Sequence, residues 1–270
     1  MKNMMLTVSL VLLPWLAQAT PERDRSGNGL SFVASVDSLN VSTLLAAGFS
    51  STGSFLTVSR DPDSGDLNSL QWIAPSTGGT IVQAAGAWSI GAVQSDTSFS
   101  TWTPFIRGLT NGGEITWQNM EVDLVNGYIS AEVSGGNGLG NIGRIQVLSI
   151  GQMAQKLTVT PHYPFLCCGP APSEYELGQF DFKLTGLILT DDGMATLAQG
   201  LGIDASTAVG EAALATLTGK SVGTMVLTER YVAPAGTFVA AVPEPSTWIL
   251  MGLGLLGVAG MTRRQCLPQT

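Results

Sequence analysis

The residue types that most often do chemistry are crowded into one stretch, residues 161–170. His162 is the single histidine of the chain, and Cys167 and Cys168 are two of its three cysteines. Adjacent Cα atoms lie ~3.8 Å apart across a trans peptide, which is below the usual disulfide range of ~4.4 to 6.8 Å. A ring between the two cysteines would therefore be strained and easily reduced. Three states stay open for the pair: a vicinal disulfide, which an oxidising compartment favours, free thiols, or bonds to another chain.

The ligand count argues against a metal at this stretch or elsewhere. A structural zinc takes four ligands, and His162, Cys167 and Cys168 supply three. Residues 61–66 read Asp-Pro-Asp-Ser-Gly-Asp and resemble a calcium loop, but the twelfth position is Trp72, where such a loop needs a bidentate glutamate. We expect no metal and no cofactor, and we expect residues 61–66 to form a hairpin turn.

Three acids are candidates for catalysis: Glu121, Asp123 and Glu132. Paired carboxylates can cleave glycosides, but acids on an exposed strand face are usually only solvated. We find no H-E-x-x-H zinc motif and no convincing G-x-S-x-G elbow. The sequence therefore predicts a protein that is not an enzyme.

Four tryptophans lie in the central part of the chain: Trp72, Trp88, Trp102 and Trp117. Tryptophan is more often packed in a core than exposed, so we expect core packing for each of them. An exposed tryptophan would be a candidate for stacking on a sugar ring.

Composition excludes some partners. Charged residues make up 12% of the chain, hydrophobic residues make up 44%, and the net charge is −8. Disordered chains show the opposite balance, so the body should fold. Nucleic-acid binding needs a basic footprint, which a sparse negative charge does not supply.

The hydrophobic pattern indicates a β-rich body. In residues 113–134, apolar residues alternate in one phase up to Trp117 and in the opposite phase from Met120, which predicts a β-bulge near residues 118–119. Asn126-Gly127 then predicts a hairpin turn. Further strands are predicted at residues 54–59, 144–150, 180–189 and 222–232.

Two short helices are predicted late in the chain, at residues 190–200 and 205–218. Thr190 supplies a side-chain oxygen of the kind that caps a helix start. Many strands with Gly-rich turns and two short helices predict a mainly β fold with a β-sandwich-like body in residues 20–232.

The first 19 residues have the layout of a secretory signal peptide. Lys2 gives a positive start, residues 4–16 form a short apolar core, and Ala17 and Ala19 are small residues at the two positions that signal peptidase reads. We expect signal peptidase to cut after Ala19.

The last part of the chain combines a polar motif, an apolar run and a basic end. The apolar run, residues 248–261, has 14 residues, whereas a comfortable membrane span needs ~20. Arg263 and Arg264 should stay cytoplasmic, which places the preceding chain outside the inner membrane. We expect a single short transmembrane helix at residues 248–262, after a linker at residues 233–242.

Pro243-Glu244-Pro245, the apolar run and Arg263-Arg264 together resemble the PEP-CTERM sorting signal of exported proteins from Gram-negative bacteria. The resemblance implies that residues 243–270 are a sorting tail recognised by an exosortase, a polytopic membrane cysteine protease. It implies a transient hold in the inner membrane, a cut near the Pro-Glu-Pro, and transfer to the cell surface or extracellular matrix.

The expected function is a structural or adhesive role in the extracellular matrix, with exopolysaccharide as a partner. The alternative is a binding module for glycan or haem. For haem, residues 117–133 and 187–197 resemble haem-transport-associated surface domains, which are β-rich and bind haem through tyrosine. That resemblance would make Tyr128, Tyr163 and Tyr175 the candidate ligands.

Overall fold

The computed structural model describes residues 20–35, 47–84, 87–162 and 175–238. These residues form eleven strands and two helices. The first six strands are β1 (Glu22–Ala34), β2 (Gly48–Thr52), β3 (Phe55–Arg60), β4 (Leu67–Pro75), β5 (Gly78–Ala84) and β6 (Ala87–Ile106). The remaining elements are β7 (Thr110–Asp123), β8 (Tyr128–Gly135), β9 (Gly140–His162), β10 (Tyr175–Leu189), α1 (Asp191–Gly200), α2 (Ala208–Leu217) and β11 (Ser221–Pro234).

All these strands belong to one antiparallel sheet. The strand order is β2-β6-β7-β8-β9-β10-β11-β1-β4-β3, and β5 pairs with β6 beside this path. β2 and β3 stand at opposite ends of the order, yet only residues 53–54 separate them in the chain. The ends of the sheet must therefore come together at this turn, and the sheet is nearly closed into a barrel.

The mainly β class and the two short helices are confirmed, but the predicted two-sheet sandwich is wrong because a single sheet encloses the core. Strand length explains the difference: β6 has 20 residues and β9 has 23. Strands this long twist and bend at bulges, so one strand can cross from one side of the core to the other. Inward and outward residues alternate in a sandwich and in a curled sheet alike, so the pattern could not separate them.

The hairpin predicted at residues 113–134 is confirmed as β7 and β8. The register shifts between Gln118 and Glu121, and Asn119 has a left-handed φ of 52°, so the predicted bulge is also present. The turn is longer than Asn126-Gly127 alone. Asp123 accepts hydrogen bonds from the Asn126 side chain and from two backbone N–H groups, and these bonds lower the pKa of its carboxyl.

Both helices begin at a threonine cap. Thr190 Oγ1 accepts from Gly193 N at 3.0 Å before α1, and Thr207 Oγ1 accepts from Gly210 N at 3.1 Å before α2. The second helix starts later than predicted because Asp204 Oδ1 accepts from Ser206 N and holds that segment in a turn.

Leu197 of α1 and Leu217 of α2 belong to the core of the sheet. Each helix has only 10 residues. No helix in the described ranges is long and apolar enough to cross a membrane. The predicted span at residues 248–262 lies outside them.

Candidate functional site

A cavity of about 90 Å³ lies inside the curled sheet, against the two helices. Its walls come from both halves of the sheet and include Trp72, Phe99 and Trp117, and Leu197 and Leu217 of the helices complete them. Phe99 is the centre of the aromatic wall, with ring centroids 6.4 Å from Trp72 and 6.3 Å from Trp117. The interior is therefore built from rings and aliphatic side chains that leave a small space between them.

Trp117 and Thr101 line this cavity with their apolar atoms. Trp117 Nε1 and Thr101 Oγ1 are buried and have no hydrogen-bond partner among the described residues. In contrast, Trp72 Nε1 on the same wall donates to Ser54 Oγ at 2.7 Å. A buried polar group left without a partner costs about 1–3 kcal/mol, so these two groups reduce the stability of the core.

The four tryptophans occupy different environments. Trp72 is fully buried, and Trp88 and Trp117 are half-buried and pack against the core, as expected. Trp102 is the exception, because 44% of its surface is exposed. The indole of Trp102 lies over Gly48 of the neighbouring strand, where any Cβ would collide with it. The sequence did not indicate this exposure, because the register between β2 and β6 must be known before Gly48 can be placed beside Trp102.

The surroundings of Trp102 are polar. Its other register partner is Glu114, and the next cross-strand pair on this outer face is Ser100 and Thr116, whose hydroxyls are 2.8 Å apart. A flat ring beside hydroxyl and carboxylate groups is the arrangement that can stack on a sugar and hydrogen-bond its hydroxyls.

The acids proposed for catalysis do not form a free pair. Arg144 lies between Glu121 and Glu132, with N–O distances of 3.8 and 3.9 Å. Asn119 Nδ2 donates to Glu132 Oε2 at 2.9 Å, and Gln94 Nε2 donates to Glu121 Oε2 at 3.1 Å. Both carboxylates are partly exposed and lie beside one guanidinium at the bulge.

The six residues 61–66 form the predicted turn, between β3 and β4. Asp61 Oδ1 accepts from Asp63 N at 2.9 Å and from Ser64 N at 2.8 Å, and these backbone hydrogen bonds lower the pKa of the Asp61 carboxyl. Within the ranges that the structure describes, no group of three His, Cys, Asp or Glu residues is placed to hold a metal.

A buried ion pair was missed from the sequence. Arg23 Nε donates to Glu229 Oε2 at 2.9 Å, and the Glu229 side chain has no exposed surface. Arg23 Nη2 also donates to the carbonyl and hydroxyl oxygens of Ser76, and Asn28 Nδ2 donates to Glu229 Oε2 at 3.3 Å. One indication of this pair was present in the sequence. Glu229 alternates with Leu227 and Tyr231 along β11, so it falls on the side of the strand that faces the core.

Tyr231 lies beside this pair, with its hydroxyl buried and without a hydrogen-bond partner in the part of the chain that the structure describes. Its ring packs edge-on against Phe180 at 6.2 Å. Burial, followed by the negative charge of Glu229, raises the pKa of Tyr231 to about 12, and the positive charge of Arg23 opposes this shift. The folded state therefore favours the neutral phenol.

We expect Tyr231→Phe to reduce the decrease in the free energy of unfolding that the protein shows at alkaline pH. In the wild type, the raised pKa of Tyr231 contributes to the free energy of unfolding. This contribution is complete when the pH is below 10.0, the ordinary pKa of a tyrosine, and is lost as the pH rises toward about 12. Urea unfolding at about pH 9 and pH 11.5 should therefore show a smaller drop for Tyr231→Phe than for the wild type. Tyr175→Phe is the control, since Tyr175 is exposed; parallel drops for all three proteins would contradict the assignment.

Several predicted site residues lie outside the described ranges. They are the signal-peptidase residues Ala17 and Ala19, the pair Cys167 and Cys168, Tyr163, and the sorting residues Pro243, Glu244, Pro245, Arg263 and Arg264. The roles assigned to these residues stay predictions.

The structure separates the two described tyrosines of the haem hypothesis. Tyr128 pairs with Ser149 near the middle of β9, and Tyr175 pairs with His162 at its end. Along the strand these positions are about 40 Å apart at ~3.3 Å per residue. They do not converge on one site, and the haem alternative stays a prediction.

Residues 219–223 spell Gly-Lys-Ser-Val-Gly, the nominal pattern of a nucleophile elbow. They lie where α2 ends and β11 begins, whereas an elbow needs a strand followed by a helix. Ser221 Oγ donates to the carbonyl of Gly223 at 3.2 Å. The local structure is a helix-to-strand connection.

Comparison with known proteins bears on the end of the chain. The family of the PEP-CTERM protein-sorting motif matches residues 241–264. No curated protein matches the chain. Among solved structures, the chain is similar to the heme binding protein HtaB from Corynebacterium glutamicum, with 11% identity, a TM-score of 0.36, and coverage of 76% of this chain and 96% of that one. A likeness this distant carries no argument about ligands, whereas the motif does define the tail: the chain ends in a PEP-CTERM sorting motif and is an exported protein sorted by an exosortase.

Proposed function

We propose that this protein is a non-enzymatic adhesive component of the cell surface or extracellular matrix. In this proposal signal peptidase removes residues 1–19, and the tail holds the chain briefly in the inner membrane. An exosortase then cuts near Pro243-Glu244-Pro245, and the folded sheet is what reaches the surface. The proposal rests mainly on one observation: the sorting motif begins at residue 241, just after the last described residues that pack on the sheet.

The last described residues before the motif pack on the sheet. Phe238 is 4% exposed, and its ring lies 5.7 Å from that of Phe180. Glu176 accepts from the backbone N–H groups of Gly236 and Phe238. The motif begins at residue 241, so a cut within it would remove no described contact of the sheet. The first residues of the predicted linker 233–242 accordingly pack on the body.

Trp102 supports an adhesive role for the delivered sheet. It is exposed, its indole lies against Gly48, and its cross-strand partner on β7 is Glu114, with Ser100 and Thr116 as the next pair. Aromatic rings have an apolar face that can pack on the C–H face of a sugar. The proposed partner is therefore the exopolysaccharide of the producing cell.

We expect Trp102→Ala to weaken binding to that exopolysaccharide by about 1 kcal/mol for each sugar ring that stacks on Trp102, which is roughly fivefold in Kd. Some stability should also be lost, because the ring packs on Gly48, so binding is compared under conditions in which both proteins are fully folded. Binding can be measured by sedimentation with the purified polysaccharide. The matched control is Phe55→Ala, which removes an aromatic ring that is 80% exposed on β3. Unchanged binding by Trp102→Ala, or an equal loss in Phe55→Ala, would contradict the role of Trp102.

A further inference from the structure

We propose that the outer face of β6 and β7 binds an extended, uncharged polysaccharide chain, which runs from Trp102 to a recess at the β-bulge. This inference rests on the adhesive role proposed for Trp102. It adds the class of polysaccharide and the length of the binding site.

A row of polar side chains connects Trp102 with the bulge. Phe99 and Trp117 line the interior cavity, and side chains alternate between the two faces of a strand. The residues on either side of Phe99 and Trp117 therefore face outward. We call the outward cross-strand pairs of β6 and β7 the polar track; they are Trp102–Glu114, Ser100–Thr116 and Ser98–Gln118.

The polar track ends in a recess of about 410 Å³. Polar and charged residues line it, among them Gln94, Asp96, Asn119, Glu132 and Arg144. The register shifts at this point in both the β6–β7 and the β7–β8 pairings, and bulges are frequent beside active sites. Pockets that bind small molecules have volumes of about 300–1,000 Å³, so the recess is large enough to hold a sugar ring.

The distance between the two ends sets the length of the ligand. Asp96 in the recess and Trp102 are six residues apart on β6, which is about 20 Å at ~3.3 Å per residue. A single sugar cannot contact both ends. The ligand is therefore a chain of several sugars that lies extended along the strands.

The side chains of the track match the chemistry of sugar hydroxyls. A hydroxyl group both donates and accepts. The Ser100 and Thr116 hydroxyls also do both, and the amides of Gln118 and Gln94 carry a donor and an acceptor each. A chain of hydroxyl-bearing rings can therefore form hydrogen bonds at each step from Trp102 to the recess.

The charges on and beside the track select an uncharged chain. Four carboxylates, those of Asp96, Glu114, Glu121 and Glu132, accompany one guanidinium, that of Arg144. Arg144 already lies 3.8 Å from Glu121 and 3.9 Å from Glu132. A polyanion such as a uronic acid polymer would meet mainly like charges here and would be repelled.

Three oligosaccharides test the length and the charge of the ligand. They are titrated by calorimetry into full-length protein in lipid nanodiscs at ~0.15 M ionic strength. We expect cellohexaose, which is extended and uncharged, to bind at least about tenfold more tightly than cellobiose, which can contact only one end of the track. The galacturonate hexamer should also bind at least about tenfold more weakly than cellohexaose.

Each result has a defined consequence. Equal affinity for cellobiose and cellohexaose would overturn the length of the site, and equal or tighter binding of the galacturonate hexamer would overturn the preference for an uncharged chain. Failure of cellohexaose to bind would overturn both.

Two variants test the track itself. Gln118→Ala in its middle and Gln94→Ala in the recess should each weaken cellohexaose binding by about fivefold. Gln152→Ala is the matched control, because Gln152 is exposed on β9, eight residues beyond Arg144, and should leave binding unchanged. If a track variant fails to fold, the comparison of cellobiose with cellohexaose on the wild type still decides the question.

Sedimentation with the exopolysaccharide separates this inference from the adhesive role. Normal binding by Gln94→Ala and Gln118→Ala, together with weakened binding by Trp102→Ala, would overturn the track and leave the adhesive role in place. A wild-type protein that does not sediment with the exopolysaccharide would contradict the adhesive role.

Discussion

Replacing Pro243 and Pro245 by alanine should leave the protein uncut and held in the membrane fraction. Proline fixes φ near −65°, removes a backbone donor and restricts the residue before it, and alanine has none of these effects. Without recognition, the apolar run and Arg263-Arg264 would keep the chain in the inner membrane. We expect the surface-associated fraction to fall at least about tenfold, which corresponds to ~1.4 kcal/mol of lost recognition.

Cell fractionation followed by immunoblotting measures this effect. Ser246→Ala is the matched control, because Ser246 directly follows the Pro-Glu-Pro and its replacement leaves both prolines in place. The folded body should be unaffected in all variants, since Phe238 is the last described residue that packs on the sheet. Release of the double proline variant in normal amounts and with the wild-type mass would show that the Pro-Glu-Pro is not the recognised element.

The largest expected effect on stability comes from Arg23→Met. This change removes the guanidinium and leaves the carboxylate of Glu229 fully buried without its counter-charge. Breaking a buried ion pair in this way costs about 3–5 kcal/mol. Urea unfolding of the folded protein measures the change as a shift in the midpoint at constant slope.

Two further variants separate charge burial from packing. Lys183→Met removes an exposed cation on β10 and should change the free energy of unfolding by less than about 0.5 kcal/mol. Arg23→Met combined with Glu229→Leu removes both charges and should recover most of the lost stability, because replacing a whole buried pair by apolar residues is often neutral. A double variant as unstable as Arg23→Met would assign the cost to lost packing of the arginine.

The sequence predicted those features that depend on neighbouring residues. The phase slip between Trp117 and Met120 indicated the bulge, and Thr190 indicated the start of α1, because both signals lie within a few residues of the structure they specify. Features set by distant pairings were not predictable. Arg23 and Glu229 are 206 residues apart, and the exposure of Trp102 depends on its register with Gly48.

The cavity shows the same limit. Trp117 was expected to pack in the core, and its ring does so. Whether its Nε1 finds a partner depends on side chains that distant parts of the chain bring beside it, and sequence spacing alone does not place them. The sequence also did not predict that one curled sheet would form in place of a sandwich, because closure of a sheet depends on the order of all its strands.

Removal of the tail and delivery of the folded body can be tested together by intact-mass spectrometry of the protein recovered from the cell surface or the medium. We expect a mature chain that begins at Thr20 and ends at or near Pro243-Glu244-Pro245. A surface species whose mass still includes Arg263 and Arg264 would contradict it.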